Sequence, residues 1–143
     1  YENKEARPTL YFINSAEFVR GSREEILDLY TQDFSHMLIS CEEPCVPREA
    51  SFTRGTVQSL EEKNGLLKAD VTAKAPGFLV FSENAFPGWK AVVDGKDAHI
   101  YTVNSVFMGI EVPAGDHSVS FEFSNFCATA EGLPACVGAL LQR

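Results

Sequence analysis

From Thr53 onward the chain is written with a period of two. Leu67-Lys68-Ala69-Asp70-Val71-Thr72-Ala73-Lys74 alternates apolar and polar residues without a break. Successive side chains of an extended strand point to opposite faces, so such a run has one face in a core and one in water. Ser118 to Phe123 does the same, with Val119, Phe121 and Phe123 on one side and Ser118, Ser120 and Glu122 on the other. Turn residues punctuate the pattern. Asn64-Gly65 and Asp94-Gly95 tolerate the positive φ of tight hairpins, while Pro76-Gly77 and Pro113-Ala114-Gly115-Asp116 break and redirect the chain. Strands are expected at 57–60, 66–74, 78–81, 89–93, 98–101, 106–112 and 118–123. Short strands with turns at this spacing predict a mainly β domain, an antiparallel β-sandwich of about seven to nine strands, jelly-roll or immunoglobulin-like.

The first third is mixed. Thr9-Leu10-Tyr11-Phe12-Ile13 reads as a strand, and Ser22 before Arg23-Glu24-Glu25 is a helix cap followed by an acidic first turn. Ile26, Leu27, Leu29 and Tyr30 give that helix an apolar face, so one short helix is expected over about 22–32. A brief strand at 37–40 and a loop over 41–51, which holds two prolines, follow. A single sandwich domain over 1–126 accounts for this pattern. The remaining tail, 127–143, carries Ala128, Ala130, Leu133, Ala135, Val137, Ala139, Leu140 and Leu141. It reads either as a short helix packed on the domain or as the first turns of a membrane helix. With neither an initiator Met nor a signal peptide before Tyr1-Glu2-Asn3, the chain is expected to be a piece of something longer.

Charge removes one class of function. Twelve Lys and Arg against twenty Asp and Glu leave a net charge of −8, the wrong sign for a surface that neutralises phosphates, so no nucleic-acid partner is expected. Catalytic motifs are missing as well: there is no Gly-x-Ser-x-Gly elbow and no glycine-rich phosphate loop, so neither enzyme activity nor a cofactor is expected. Asp94, Asp97 and Asp116 offer loop oxygens of the kind calcium takes, but beside glycines Asp94 and Asp116 read first as turn residues. Four cysteines stand as Cys41-x3-Cys45 and Cys127-x8-Cys136, spacings unlike those of zinc knuckles. His36 with Cys41 and Cys45 is the remaining ligand set, and no metal is assigned to it. Two local disulfides in an oxidising compartment and four incidental thiols both remain open, and four cysteines allow three pairings.

The most informative stretch surrounds the sole tryptophan. In Asn84-Ala85-Phe86-Pro87-Gly88-Trp89-Lys90 the chain bends sharply before entering a strand. An indole at such a corner is either a core plug or an exposed platform on which a sugar ring stacks, with Asn84 and Lys90 beside it for the hydroxyls. Tyr101 and Asn104 share this ambiguity, so Trp89, Asn84, Tyr101 and Asn104 form the candidate ligand-binding set.

The run from Ser82 through Asp94-Gly95-Lys96, with its Asn84, Pro87-Gly88-Trp89 and Val93-Asp94-Gly95, resembles a stretch near the C-terminus of the YfhO family of bacterial membrane proteins. The likeness continues through Ile100-Tyr101, Asn104, Val112-Pro113-Ala114-Gly115 and His117 to Phe121-Glu122-Phe123, and it extends loosely upstream to Ala6-Arg7-Pro8. That family is similar in architecture to polytopic glycosyltransferases that use lipid-linked sugars, and it is implicated in glycosylating cell-envelope polymers. The resemblance implies that this chain is a soluble extracytoplasmic domain whose catalytic residues lie elsewhere in the parent. Its partners would be the parent's membrane helices and a glycan or envelope polymer. An autonomous carbohydrate-binding module and a purely structural domain are the alternatives.

Overall fold

The computed structural model describes residues 9–22, 24–26, 37–42 and 44–124. Twelve strands stand in this region: β1 (Leu10–Ile13), β2 (Ser15–Val19), β3 (Leu38–Ser40), β4 (Arg48–Ser51), β5 (Thr56–Lys63), β6 (Leu66–Ala73), β7 (Gly77–Asn84), β8 (Trp89–Val93), β9 (Lys96–Ala98), β10 (Tyr101–Val103), β11 (Phe107–Val112) and β12 (Gly115–Phe123). They form two sheets, a seven-stranded one ordered β1-β7-β11-β10-β3-β2-β4 and a five-stranded one ordered β5-β6-β12-β8-β9. The protein is a mainly β sandwich.

The alternation read in the sequence makes the core. Leu67, Ala69, Val71 and Ala73 of β6 point inward with Val119 and Phe121 of β12, and they meet Leu79 and Phe81 of β7 and Met108, Ile110 and Val112 of β11. The other face of β7 is covered too. Phe78, Val80 and Val103 join Ile13, Ala16, Phe18, Met37 and Ile39 in a second cluster, because the seven-stranded sheet curls until β2 and β3 lie over its own outer face. A strand buried on both sides has no polar face to show. This is why Phe78-Leu79-Val80-Phe81 is an unbroken apolar run where β6 alternates.

Several local expectations need correcting. The expected loop over 41–51 ends in β4, which pairs with β2, and Ser15–Val19 is itself a strand. The expected strand at 98–101 is two strands in different sheets: β9 hydrogen-bonds β8, β10 hydrogen-bonds β11, and His99-Ile100 carries the chain across. Nor is the sandwich wholly antiparallel, since β2 and β3 run parallel. A parallel pair needs a crossover rather than a hairpin, and the helix start at Ser22 lies in that crossover. There Ser22 N–H donates to Glu25 Oε2 at 2.7 Å while Glu25 N–H donates to Ser22 Oγ at 3.2 Å, a reciprocal capping box. The rest of the expected helix, and the tail with Cys127 and Cys136, lie outside the described residues.

The turns follow their residues. Asp94 and Gly95 both take positive φ, 51° and 81°, the pattern of a type I′ hairpin, whereas at Asn64-Gly65 only the glycine does. No helix among the described residues is long and apolar enough to cross a membrane.

Candidate functional site

The structure does not gather the four candidate residues onto one face. Trp89 opens β8 in the five-stranded sheet and is half-buried against the inter-sheet core. Its ring stands edge-on to Phe81 at 5.5 Å and tilted against Phe123 at 5.3 Å. The corner before it is locked in place. Gly88 takes a φ of 111°, its carbonyl accepts from Ser124 N–H at 3.0 Å, and a Cβ there would come within 3.0 Å of the Phe123 ring. This is the geometry of a plug between two aromatic neighbours.

Asn104 is also spoken for. It is 1% exposed, sits at a φ of 51°, and its Oδ1 accepts from Leu38 N–H at 2.8 Å. Its own N–H donates to the Leu38 carbonyl at 2.8 Å, and its Nδ2 donates to Met37 Sδ at 3.4 Å. An asparagine tolerates the left-handed conformation and here fastens the β10–β11 turn to β3.

Tyr101 and Asn84 do share a feature, a groove along the seven-stranded sheet. One end, about 660 Å³, is lined by Tyr101, His99, Arg48, Glu42 and the Cys41–Cys45 disulfide. The other, about 380 Å³, is lined by Asn84, Phe86, Ser105 and Val106. Gly21, Ser40 and Thr102 border both, so the two cavities adjoin there.

Tyr101 is the hub of the larger end. His99 stands edge-on to it at 4.5 Å, Phe18 edge-on at 5.8 Å and Phe78 tilted at 5.8 Å. Arg48 joins this cluster through Phe18, its guanidinium carbon 4.1 Å from the Phe18 centroid, a cation–π contact. Burial, aided by Glu111 and opposed by Arg48, raises the Tyr101 pKa, so the phenol stays protonated and available as a donor. Aromatic edges, a fixed cation and hydroxyls from Ser40 and Thr102 suit a polar, ring-containing ligand. Among the described residues no cluster of His, Cys, Asp and Glu is arranged to hold a metal ion. The Cys41–Cys45 disulfide takes both thiolates away from the ligand set considered with His36.

Arg48 and His99 were not legible as site residues. Arg48 stands in a stretch that reads as a loop, and His99 gains its place only because the chain changes sheets there. A second pairing was also missed. Asp94 Oδ2 meets His117 Nδ1 at 2.5 Å, Asp94 Oδ1 accepts from Ser118 N–H at 2.8 Å, and His117 Nε2 faces the Ala114 carbonyl at 3.0 Å. A neutral imidazole has a single N–H, so meeting two acceptors calls for the charged ring. The hydrogen bond that His117 donates to Asp94 accordingly raises the His117 pKa, and the same bond lowers that of Asp94. Here the turn aspartate has a second task, pinning the β8–β9 hairpin to β12.

The comparison with known families decides what kind of protein carries this groove. The family of the bacterial membrane protein YfhO matches over residues 50–126, more than half of the 143-residue chain. The chain belongs to the YfhO family. No curated protein and no solved structure matches it. The YfhO match takes in His99, Tyr101, Thr102 and Asn84 on one side of the groove. Arg48 and the disulfide, on the other side, precede it.

Proposed function

We propose that this YfhO-family chain is a non-catalytic extracytoplasmic domain that holds a cell-envelope polymer, a polysaccharide or teichoic acid, for glycosylation by the membrane-embedded parent. On this reading the parent is a glycosyltransferase using a polyprenyl-phosphate sugar, and its helices are the domain's permanent partner. The observation that carries the reading is the trough from Asn84 to Arg48. It runs from the Asn84 cavity past Gly21, Ser40 and Thr102 to the Arg48 cavity, and its aromatic hub at Tyr101 suits a sugar ring while Arg48 suits an anionic substituent. The Cys41–Cys45 disulfide supports the extracytoplasmic side, since disulfides persist where the surroundings are oxidising.

Calorimetric titration of the chain with purified envelope polymer fragments tests the proposal. Tyr101→Ala and Arg48→Ala should each weaken binding by at least tenfold while the far-UV spectrum is retained. Binding that neither substitution alters, or no binding to any neutral or anionic fragment, would sink it. One feature favours the structural alternative for part of the domain: Trp89, the obvious sugar platform, is packed between Phe81 and Phe123.

A further inference from the structure

The chain enters and leaves the sandwich at the same end. Thr9, just before β1, accepts through its carbonyl from Ser82 N–H at 2.8 Å, and β1 runs antiparallel to β7 with Leu10 opposite Phe81. Ser124, just after β12, donates to the Gly88 carbonyl at 3.0 Å. Around these two points lie the Asn64-Gly65 turn, whose glycine carbonyl accepts from Phe123 N–H at 2.7 Å, and the Asn84–Trp89 corner. The β10–β11 turn belongs to this pole too, because Val106 holds Ala85 N–H through its carbonyl at 2.8 Å. Asp94-Gly95, Pro76-Gly77 and Pro113-Ala114 occupy the opposite pole.

The two poles differ chemically. Four large apolar side chains are exposed among the described residues, and two of them, Phe86 at 47% and Phe123 at 39%, stand at the pole where the chain enters and leaves. Trp89 lies beneath Phe123. The far pole presents the Asp94–His117 pair and Asp116 instead.

From this arrangement we infer that the Phe86–Phe123 pole is the face the domain lays against the phospholipid bilayer. The chain belongs to a family of membrane proteins, and a domain whose two flanking segments leave from one pole turns that pole toward whatever anchors them. Phe123, packed on Trp89, and the exposed Phe86 offer apolar surface of the kind that enters the boundary between headgroups and acyl chains. A net charge of −8 argues against attraction to anionic lipid as the cause, so the contact is assigned to the apolar side chains and becomes effective through the tether, which keeps the pole at high local concentration near the surface. The inference stands on the chain path and the family, independently of what the groove binds. It places the Asn84 end of the groove, beside Phe86, at the membrane.

Trp89 is the sole tryptophan and reports on the pole directly. The chain is tethered through a hexahistidine tag, at either end, to phosphatidylcholine vesicles containing a nickel-chelating lipid. Phosphatidylcholine brominated on the upper acyl chain should then reduce Trp89 emission relative to unbrominated vesicles with the same chelator. The loss should appear with both tags and persist at high salt, and Phe86→Ser should diminish it. Emission insensitive to the brominated lipid with both tags overturns the inference. So does a loss that high salt abolishes, which would mark an electrostatic contact.

Discussion

Gly109→Ala sets two physical effects against each other, and the structure says which one wins. Gly109 sits in β11 between Val80 and Tyr101 at an ordinary strand conformation, so on backbone grounds alone alanine is the better residue by about 0.5–1 kcal/mol. Packing points the other way. A Cβ on residue 109 would lie 2.3 Å from Cε1 and 2.7 Å from Cζ of Phe78, and 2.9 Å from Cγ2 of Val103. Carbon atoms rest at about 3.5–4.0 Å, so the Phe78 ring must retreat by roughly 1 Å or more. It has nowhere to go: Phe78 is fully buried, with Phe52 at 5.4 Å and Tyr101 at 5.8 Å. Overpacking of this kind costs about 3 kcal/mol, leaving a net loss of about 2 kcal/mol after the backbone gain. In urea the midpoint should fall by roughly 1 M, taking a slope of about 2 kcal/mol/M, and the melting temperature by roughly 7 °C. In a Phe78→Leu background the same methyl has room, so its cost should nearly vanish, a coupling of about 2 kcal/mol. A Gly109→Ala protein as stable as the parent, or more so, would refute the reasoning, because backbone preference would then have beaten the clash.

Two further outcomes follow from the turns. Asn104→Ala strands the Leu38 N–H and puts a Cβ residue without a compensating side chain at a φ of 51°, so it should cost about 3 kcal/mol by denaturant titration; Asn104→Gly, which removes only the side-chain bonds, should cost about 1–2 kcal/mol less than that. For the Asp94–His117 pair, Asp94 has a lowered pKa, so its contribution is complete above the ordinary carboxylate range and lost as pH falls through the lowered folded value. His117 has a raised pKa, so its contribution is complete below about pH 6.5 and lost as pH rises through the raised folded value. Melting temperature should therefore peak between those limits, and His117→Gln should flatten the alkaline descent; an unchanged descent in that variant would show that His117 stays neutral when folded.

The sandwich was legible because its signals are local. Leu67 to Lys74 states its own period, and Asp94-Gly95 states its own turn, so neither needs knowledge of a partner. What stayed hidden depends on meetings between distant segments. Arg48-Glu49-Ala50-Ser51 has no periodic signal and becomes β4 only because β2 offers it an edge. Ile100-Tyr101 reads as the end of a strand, and nothing in the residues says that the chain changes sheets beside it. Phe78 to Phe81 reads as a strand, but nothing in the run says what covers its second face, which is the sheet's own curled end.

The same division explains the site. A lone indole at a Pro-Gly corner is conspicuous in a sequence, and that makes Trp89 the natural candidate for a sugar platform. In the fold that corner needs the indole for itself: Gly88 is clamped to Ser124, and the indole ring lies tilted against Phe123 and perpendicular to Phe81. Asn104 is likewise conspicuous, and likewise consumed, by the turn it caps. Tyr101 is less conspicuous in the sequence, yet beside its neighbour His99 its surroundings come from three distant strands, with Phe18, Phe78 and, through Phe18, Arg48. A side chain that solves a local backbone problem is legible because its neighbours in sequence reveal the problem, and for that reason it has little left to offer a ligand. A binding surface on a sheet is assembled across strands, so its residues are individually bland. Substituting Tyr101 and substituting Trp89 should therefore fail in different ways: Trp89→Ala should lower the melting temperature and leave the affinity of the folded fraction intact, and Tyr101→Ala should remove affinity at a cost in stability smaller than that of Trp89→Ala. Affinity that follows Trp89 instead would mean the indole leaves its slot to meet the ligand.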